Sequence, residues 1–150
     1  MSLCLACGFC CDGTLFNRVP LLEAEVPALK ERLQVVDGQH HARQPCPALD
    51  GTVCRVYAER PLTCRRYRCL LLEAHEATEV SLTGAVAIVE ATKALRATLA
   101  ATRGHADSGL VVEEARAKRA ELSPDAAQAL ERLEEQLAFH FLGQRSRQAR

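Results

Sequence analysis

The chain opens MSLCLACGFCC, Met1 to Cys11, and the placement of Cys4, Cys7, Cys10 and Cys11 in that stretch decides what the remaining residues have to build. Three thiols recur at two-residue gaps with a fourth directly attached, a density that packing alone does not require. A Cys-x2-Cys step lets two thiolates close on one ion while the backbone N–H groups between them turn toward the sulfurs and spread their charge. Cys10 and Cys11 leave the backbone in different directions, so they do not easily grip the same ion. Either they serve two neighbouring metals, or one of them is a bridge, an outer group or a reactive thiol. The stretch therefore reads as one half of a polynuclear or paired metal centre.

The totals set bounds around that centre. At 150 residues the chain suits a single domain, with residues 1–79 as a cysteine-cluster half, 80–143 as supporting helices and 144–150 as a basic tail. Hydrophobic residues make up 48%, yet many are Ala and aromatics are only 4%, so the core is shallow and metal ligation is expected to hold the N-terminal half. A formal net charge of zero gives no bulk attraction to nucleic acid or membranes. There is no apolar run long enough for a membrane span, and no basic region followed by an apolar one at the start. Eight cysteines in that setting point to metal or redox chemistry in a reducing compartment, the cytoplasm, ahead of buried inert thiols or a disulfide framework.

Going outward, Leu22, Val26, Leu29 and Leu33 have helical spacing, and Pro27 predicts a short helix beginning there or a longer one kinked there. Asp37-Gly38 and Asp50-Gly51 punctuate short apolar runs as hairpin turns do. A three-residue loop of Leu49, Asp50 and Gly51 would set Cys46 opposite Cys54 on one face; a two-residue Asp50-Gly51 turn would set them on opposite faces, so shared ligation favours the bulged form. His40 and His41 are further candidate ligands, although the thiols already suffice and paired histidines commonly sit in loops. Arg60-Pro61 starts a turn or short helix. Cys64 and Cys69, five apart, lie about 140° round an ideal helix, so both cannot face one ion unless the helix ends between them.

Arg65, Arg66 and Arg68 join Arg55 and Arg60 in a basic cluster with Tyr57 and Tyr67. One reading is anion or nucleic-acid binding with the tyrosines as stacking platforms; the other, favoured here, is charge balance against thiolate centres. Asp12, Asp50 and Glu59 read as turn or helix-end residues. From Val80 the cysteines disappear. Leu82, Val86, Val89, Leu95 and Leu99 mark a helical face ending near Gly104, Ser108 is placed to cap a second helix, and Ser123-Pro124 starts a third. Its stripe of Leu130, Leu133, Leu137 and Phe141 stops at Gly143, ahead of a basic tail, QRSRQAR. The expected fold is α-dominant α+β: an irregular cysteine-rich half with a short β-hairpin, packed on a small C-terminal helical bundle.

CLACGFCC together with CPALDGTVCRVYAERPLTCRRYRC resembles the CxxCxxCC cysteine-cluster domain, the YkgJ-like family described as zinc- or iron-chelating. The resemblance covers Cys4 to Cys69, and all eight cysteines, Cys4, Cys7, Cys10, Cys11, Cys46, Cys54, Cys64 and Cys69, fall on motif positions as implied metal ligands. It implies a bacterial, intracellular protein. One branch of the family is similar to flagellin lysine N-methylases, but this chain has no glycine-rich nucleotide-binding loop of its own.

The expected function is a protein holding zinc or an iron-sulfur cluster, in one or two centres, through those eight thiolates. Metal ions are thus the expected partners, with a protein partner possible in principle, nucleic acid and membrane disfavoured, and oligomeric state undetermined by sequence. Two other classes compete: an accessory or catalytic component in protein modification or redox transfer, using Cys10 or Cys11 as a spare thiolate, and a zinc-ordered nucleic-acid-binding module.

Overall fold

The longest element is bracketed by two residues whose chemistry stops a helix. The Ser81 hydroxyl accepts the Gly84 N–H at 3.1 Å at one end, and Gly104 at the other adopts the left-handed conformation, φ 64°. In the computed structural model, which describes residues 3–36 and 38–143, this helix, α5, runs Leu82–Arg103. It is preceded by α1 (Leu3–Cys7), α2 (Val26–Leu29), α3 (Leu62–Arg66) and α4 (Leu70–Glu76). It is followed by α6 (Gly109–Ala117) and α7 (Pro124–Leu137), the latter extended by a π-turn over Ala138–Leu142. Ser123 caps α7 by accepting the Ala126 N–H at 3.3 Å, with Pro124 in the first turn. Ser108 stands at the cap position of α6 but makes no side-chain cap bond.

Helices α5, α6 and α7 pack on one another, and α1 and α4 pack on α5. The first hydrophobic core joins Val89 and Leu99 to Val111, Leu130, Leu133 and Phe141, and the N-terminal segment inserts Leu3, Phe9 and Leu15 into it. The α7 stripe is buried as its periodicity predicts. The α5 stripe is rotated: the buried positions are Ala85, Val89, Thr92, Arg96, Leu99 and Ala100, while Leu82, Val86 and Leu95 sit partly buried at its flank. A threonine and an arginine occupy the deepest line because both are satisfied there, Thr92 by donating to the Ile88 carbonyl at 2.8 Å and Arg96 by remote carboxylates.

Strands are confined to two small antiparallel pairs. β1 (Arg18–Pro20) pairs with β2 (His41–Arg43) so that Val19 faces Ala42, and Val35 adds an isolated bridge to Ala42. β3 (Leu49–Asp50) pairs with β4 (Val53–Cys54). These elements enclose a second, smaller core of Val19, Leu21, Leu29, Leu33, Ala42, Ala48 and Val56. The helix expected near Pro27 is the short α2; Leu22, assigned to its apolar face, is instead exposed ahead of it. Gly38 has φ 69°, as a turn asks, while its partner Asp37 lies outside the described residues, as does the 144–150 tail. The second turn corrects the sequence reading: the two-residue loop is Gly51-Thr52, with Gly51 at φ 59°, and Leu49, not Cys46, faces Cys54. Gly51 supplies the positive φ at the first loop position that a two-residue hairpin requires, which moves the partner of Cys54 three residues along, from Cys46 to Leu49. No helix among the described residues is long and apolar enough to cross a membrane.

Candidate metal centre

Helix α1 sets Cys4 and Cys7 three residues apart, on one face of a single turn. Gly8 then ends the helix with φ 76°, its amide donating to the Cys4 carbonyl at 3.3 Å. That left-handed step lets the Phe9 N–H point back at the Cys7 sulfur. The chain closes tightly behind it, the Cys11 and Asp12 amides donating to the Gly8 carbonyl at 2.9 and 3.0 Å. Phe9 anchors the turn in the first core, its fully buried ring set edge-on to Phe141 at 5.4 Å. The hairpin tip docks against the same turn, the Thr52 hydroxyl donating to the Leu5 carbonyl and the Thr52 side chain lying where a Gly8 Cβ would meet it at 3.4 Å.

The other four thiols arrive from the middle of the chain. The Cys46 amide donates to the Cys11 carbonyl at 2.7 Å, and the Cys46 sulfur accepts backbone N–H groups from Ala48 and Leu49. β4 carries Cys54. Cys64 sits in α3, whose start is fixed when the Glu25 carboxylate accepts the Leu62 N–H at 2.8 Å and Thr63 donates to the Pro20 carbonyl at 2.9 Å. The helix does end between Cys64 and Cys69: Cys69 caps α4 with its sulfur, accepting the Leu72 N–H at 3.4 Å.

All eight cysteines are free thiols, Cys4 exposed and the rest half-buried, and all eight line one cavity of about 1020 Å³. Packing divides six of them, and the charge neighbours of Cys10 and Cys11 differ in the same sense. Cys7, Cys10 and Cys69 pack on the first core, whereas Cys46, Cys54 and Cys64 pack on the second. The charges acting on each thiol follow the same line. Burial pushes Cys7 up to about 12, with Cys69 and Cys4 adding to it. Burial also raises Cys10, with Cys7, Cys69, Cys11 and Cys4 as its charge neighbours. Burial pushes Cys11 up to about 12, but its neighbours are Cys46, Cys64 and Cys54. Burial and then Cys46 and Cys54 push Cys64 up to about 11, against the pull of Arg60. The charge neighbours of Cys10 are thus mainly Cys7, Cys69 and Cys4, with Cys11 among them, whereas those of Cys11 are Cys46, Cys64 and Cys54. Among the described residues no three His, Cys, Asp or Glu side chains already stand as a group that could hold an ion. The thiols therefore stand as neighbours around the cavity rather than as closed coordination shells. The donor set, eight soft sulfurs with backbone N–H groups turned toward Cys7, Cys46 and Cys69, suits zinc or iron.

The remaining candidates separate from this cluster. His40 is exposed and His41 lies in β2, and neither is among the residues lining the cavity. Asp12, Asp50 and Glu59 are structural, bonded to Arg96, Arg55 and Arg32 respectively. The arginine cluster is largely engaged elsewhere: Arg68 pairs with Glu76 at 3.3 Å, Arg65 donates to the Arg60 carbonyl at 2.8 Å, and Arg60 stacks on Tyr57 at 3.8 Å. Tyr67 is packed edge-on to Phe16 at 5.1 Å and is not a free stacking platform.

The cations that do reach the N-terminal loop were not identified by the sequence. Lys93 donates to the Ala6 carbonyl at 2.9 Å, Arg96 to Asp12 at 2.5 Å, and Arg116 to the Thr14 carbonyl at 3.3 Å. The available signal was Arg96 itself, an arginine four and seven residues from Thr92 and Val89 on an otherwise apolar line.

A family model, CxxCxxCC, described as "Putative zinc- or iron-chelating domain", matches residues 3–84, more than half of the chain. No curated protein and no solved structure matches it.

Proposed function

The chain belongs to the CxxCxxCC family, whose domain is described as zinc- or iron-chelating, and from that premise we propose that it holds two metal ions in adjacent four-thiolate centres. Cys4, Cys7, Cys10 and Cys69 ligate one ion against the helical core; Cys11, Cys46, Cys54 and Cys64 ligate the other against the small core. What supports this is the division of six thiols between the two cores, with Cys10 and Cys11 carrying mostly different charge neighbours, around one cavity. Sulfur–zinc distances of about 2.3 Å require each quartet to draw together on binding. Each centre carries a formal charge near −2, and Arg60, which pulls against the rise of Cys64, is placed to offset part of it.

The competing classes have less behind them. A reactive cysteine needs a thiol pushed down by cationic neighbours, whereas burial and neighbouring thiols push Cys10 and Cys11 up. Nucleic-acid binding needs exposed, unpaired cations, and Arg55 and Arg68 are paired.

The test is stoichiometry. Protein purified anaerobically is expected to carry two equivalents of metal, and either Cys10→Ser or Cys11→Ser to keep one. Loss of both ions in each variant, or one equivalent in the parent, would instead indicate a single shared cluster. Absorption separates the metals: a colourless protein carries zinc, a coloured one iron, and acid-labile sulfide identifies an iron-sulfur cluster.

A pH dependence follows from the raised thiols. With Cys7, Cys11 and Cys64 at about 11 to 12 in the absence of metal, these thiols are protonated at neutral pH and an ion displaces their protons on entry. The metal-bound state holds fewer protons than the free one, so binding strengthens as pH rises and weakens as it falls. About four protons per zinc are expected to appear in weakly buffered solution at pH 7; release of two or fewer would contradict four-thiol ligation.

A further inference from the structure

Two quartets form only if the chain turns between Cys10 and Cys11 and stays turned, and to the backbone bonds from Gly8 and Cys46 the fold adds side chains from beyond residue 84. Arg96 lies in the deepest line of α5 and is 8% exposed. Its Nη1 donates to the Asp12 carboxylate at 2.5 Å and to the Thr14 hydroxyl at 2.8 Å. Its Nε and Nη2 donate to the Asp107 carboxylate at 2.7 and 3.4 Å. The guanidinium carbon stands 5.5 Å from the Phe9 ring centre. Asp12 passes the constraint on, its second oxygen accepting the Thr14 N–H at 2.8 Å. One planar group thus touches the residue before the two adjacent cysteines and two of the three residues after them.

We propose that Arg96 is the positioning residue of the cysteine loop, clamping Phe9, Asp12 and Thr14 so that Cys10 and Cys11 stay committed to different metal centres. This rests on the two-centre reading and extends it, because it gives a residue beyond the matched segment a part in metal retention. A guanidinium suits the task where an ammonium does not. Its donors are fixed in a plane, so Asp107 on one side sets the direction of the donor that reaches Asp12 and Thr14 on the other. Fold stability alone is an ambiguous readout, since a buried ion pair can be exchanged for apolar packing without loss. Metal release is not ambiguous in that way.

The experiment uses the full chain loaded with two equivalents of zinc, and follows release to an excess of chromophoric chelator under reducing conditions. Arg96→Met is expected to release both ions about ten- to a hundredfold faster, the range seen when groups that orient ligands are removed, with helical circular dichroism unchanged. Arg96→Lys should fall nearer Arg96→Met than the parent. Asp107→Asn, at a half-exposed residue remote in sequence from every cysteine, should accelerate release severalfold and covers the case in which Arg96→Met fails to fold. In metal-free protein, amide exchange at Thr14 and Leu15 should rise at least tenfold in Arg96→Met relative to α7. Parental release rates with unchanged loop exchange would overturn the clamp and leave two centres standing. A parent chain that takes up no zinc would overturn the two-centre reading, and the exchange rates alone would then decide the clamp.

Discussion

Stripping the metal with a chelator under reducing conditions is expected to melt residues 16–66 while α5, α6, α7 and the loop packed on them stay folded. The two cores are unequal. The first combines two phenylalanines with leucines and valines drawn from five helices and the N-terminal loop. The second has seven buried side chains, two of them alanine, gathered by strands of two or three residues and a four-residue helix. Isolated two-stranded pairs of that length are at best marginal in water, and so small an apolar cluster does not offset the conformational entropy of the segment it has to order. In the proposed reading, three of the four thiolates of one centre, Cys46, Cys54 and Cys64, come from this segment. A structural zinc site is worth on the order of 10–16 kcal/mol at neutral pH in small peptides, far more than the second core supplies. The measurement is amide exchange with and without chelator. Protection should vanish at Leu21, Val36 and Gln44, whose amides bond to His40, His41 and Asn17 carbonyls, and persist along α7. Equal protection at those three amides in both states would mean that the small core stands without metal.

How much of this was legible in the sequence depended on the range of the interaction. Helix ends set by neighbours in the chain, such as Gly104 and Ser123-Pro124, were readable because cap chemistry is local. For Cys10 and Cys11 the sequence left two metals, a bridge, an outer group or a reactive thiol open, and the difference in their charge neighbours is what the two-centre proposal rests on. The helix of α1 was not readable, because five residues give no periodicity to read. The partition of the later thiols was half visible. The angle between Cys64 and Cys69 showed that they could not share a continuous helix, but their quartets depend on which core each side of the break packs against. Cys46 and Cys54 were placed together by the wrong turn. They do share a core, through Cys46 docking on the Cys11 carbonyl instead of through strand register. The basic cluster divides in space: Arg60 acts on Cys64 as charge balance asks, Arg65 and Arg68 serve their own helix ends, and Lys93 and Arg96, more than eighty residues from their partners in the loop, reach it from the helical core.

Gly109→Ala is expected to destabilise the protein by about 3 kcal/mol or more and to reduce its metal content, although the same change in an isolated helix would stabilise it. Gly109 is the first residue of α6, and its backbone passes so close to the cysteine loop that a Cβ would lie 2.0 Å from the Asp12 carbonyl oxygen, 2.6 Å from its carbon and 2.7 Å from the Thr14 nitrogen. All three are main-chain atoms, so no rotamer change relieves the overlap. Either α6 withdraws from the core where Val111, Val112 and Ala115 are buried, or the loop lifts and carries Cys11 and Asp12 with it. The conformation at Gly109 is not left-handed, so the helix itself gains roughly 1 kcal/mol from alanine, and the observed loss isolates the contact. At this chain length the net effect corresponds to a fall of roughly 6–12 °C in melting temperature. Gly84→Ala is the control: it sits in the first turn of α5, and its Cβ would approach only the Ser81 hydroxyl and a Val80 methyl at 3.3 Å, both side-chain atoms. That variant should stay within about 1 kcal/mol of the parent. If the two variants melt together, α6 does not press on the Cys11–Thr14 segment, and the bundle's hold on the thiol-bearing loop reduces to Lys93, Arg96 and Arg116.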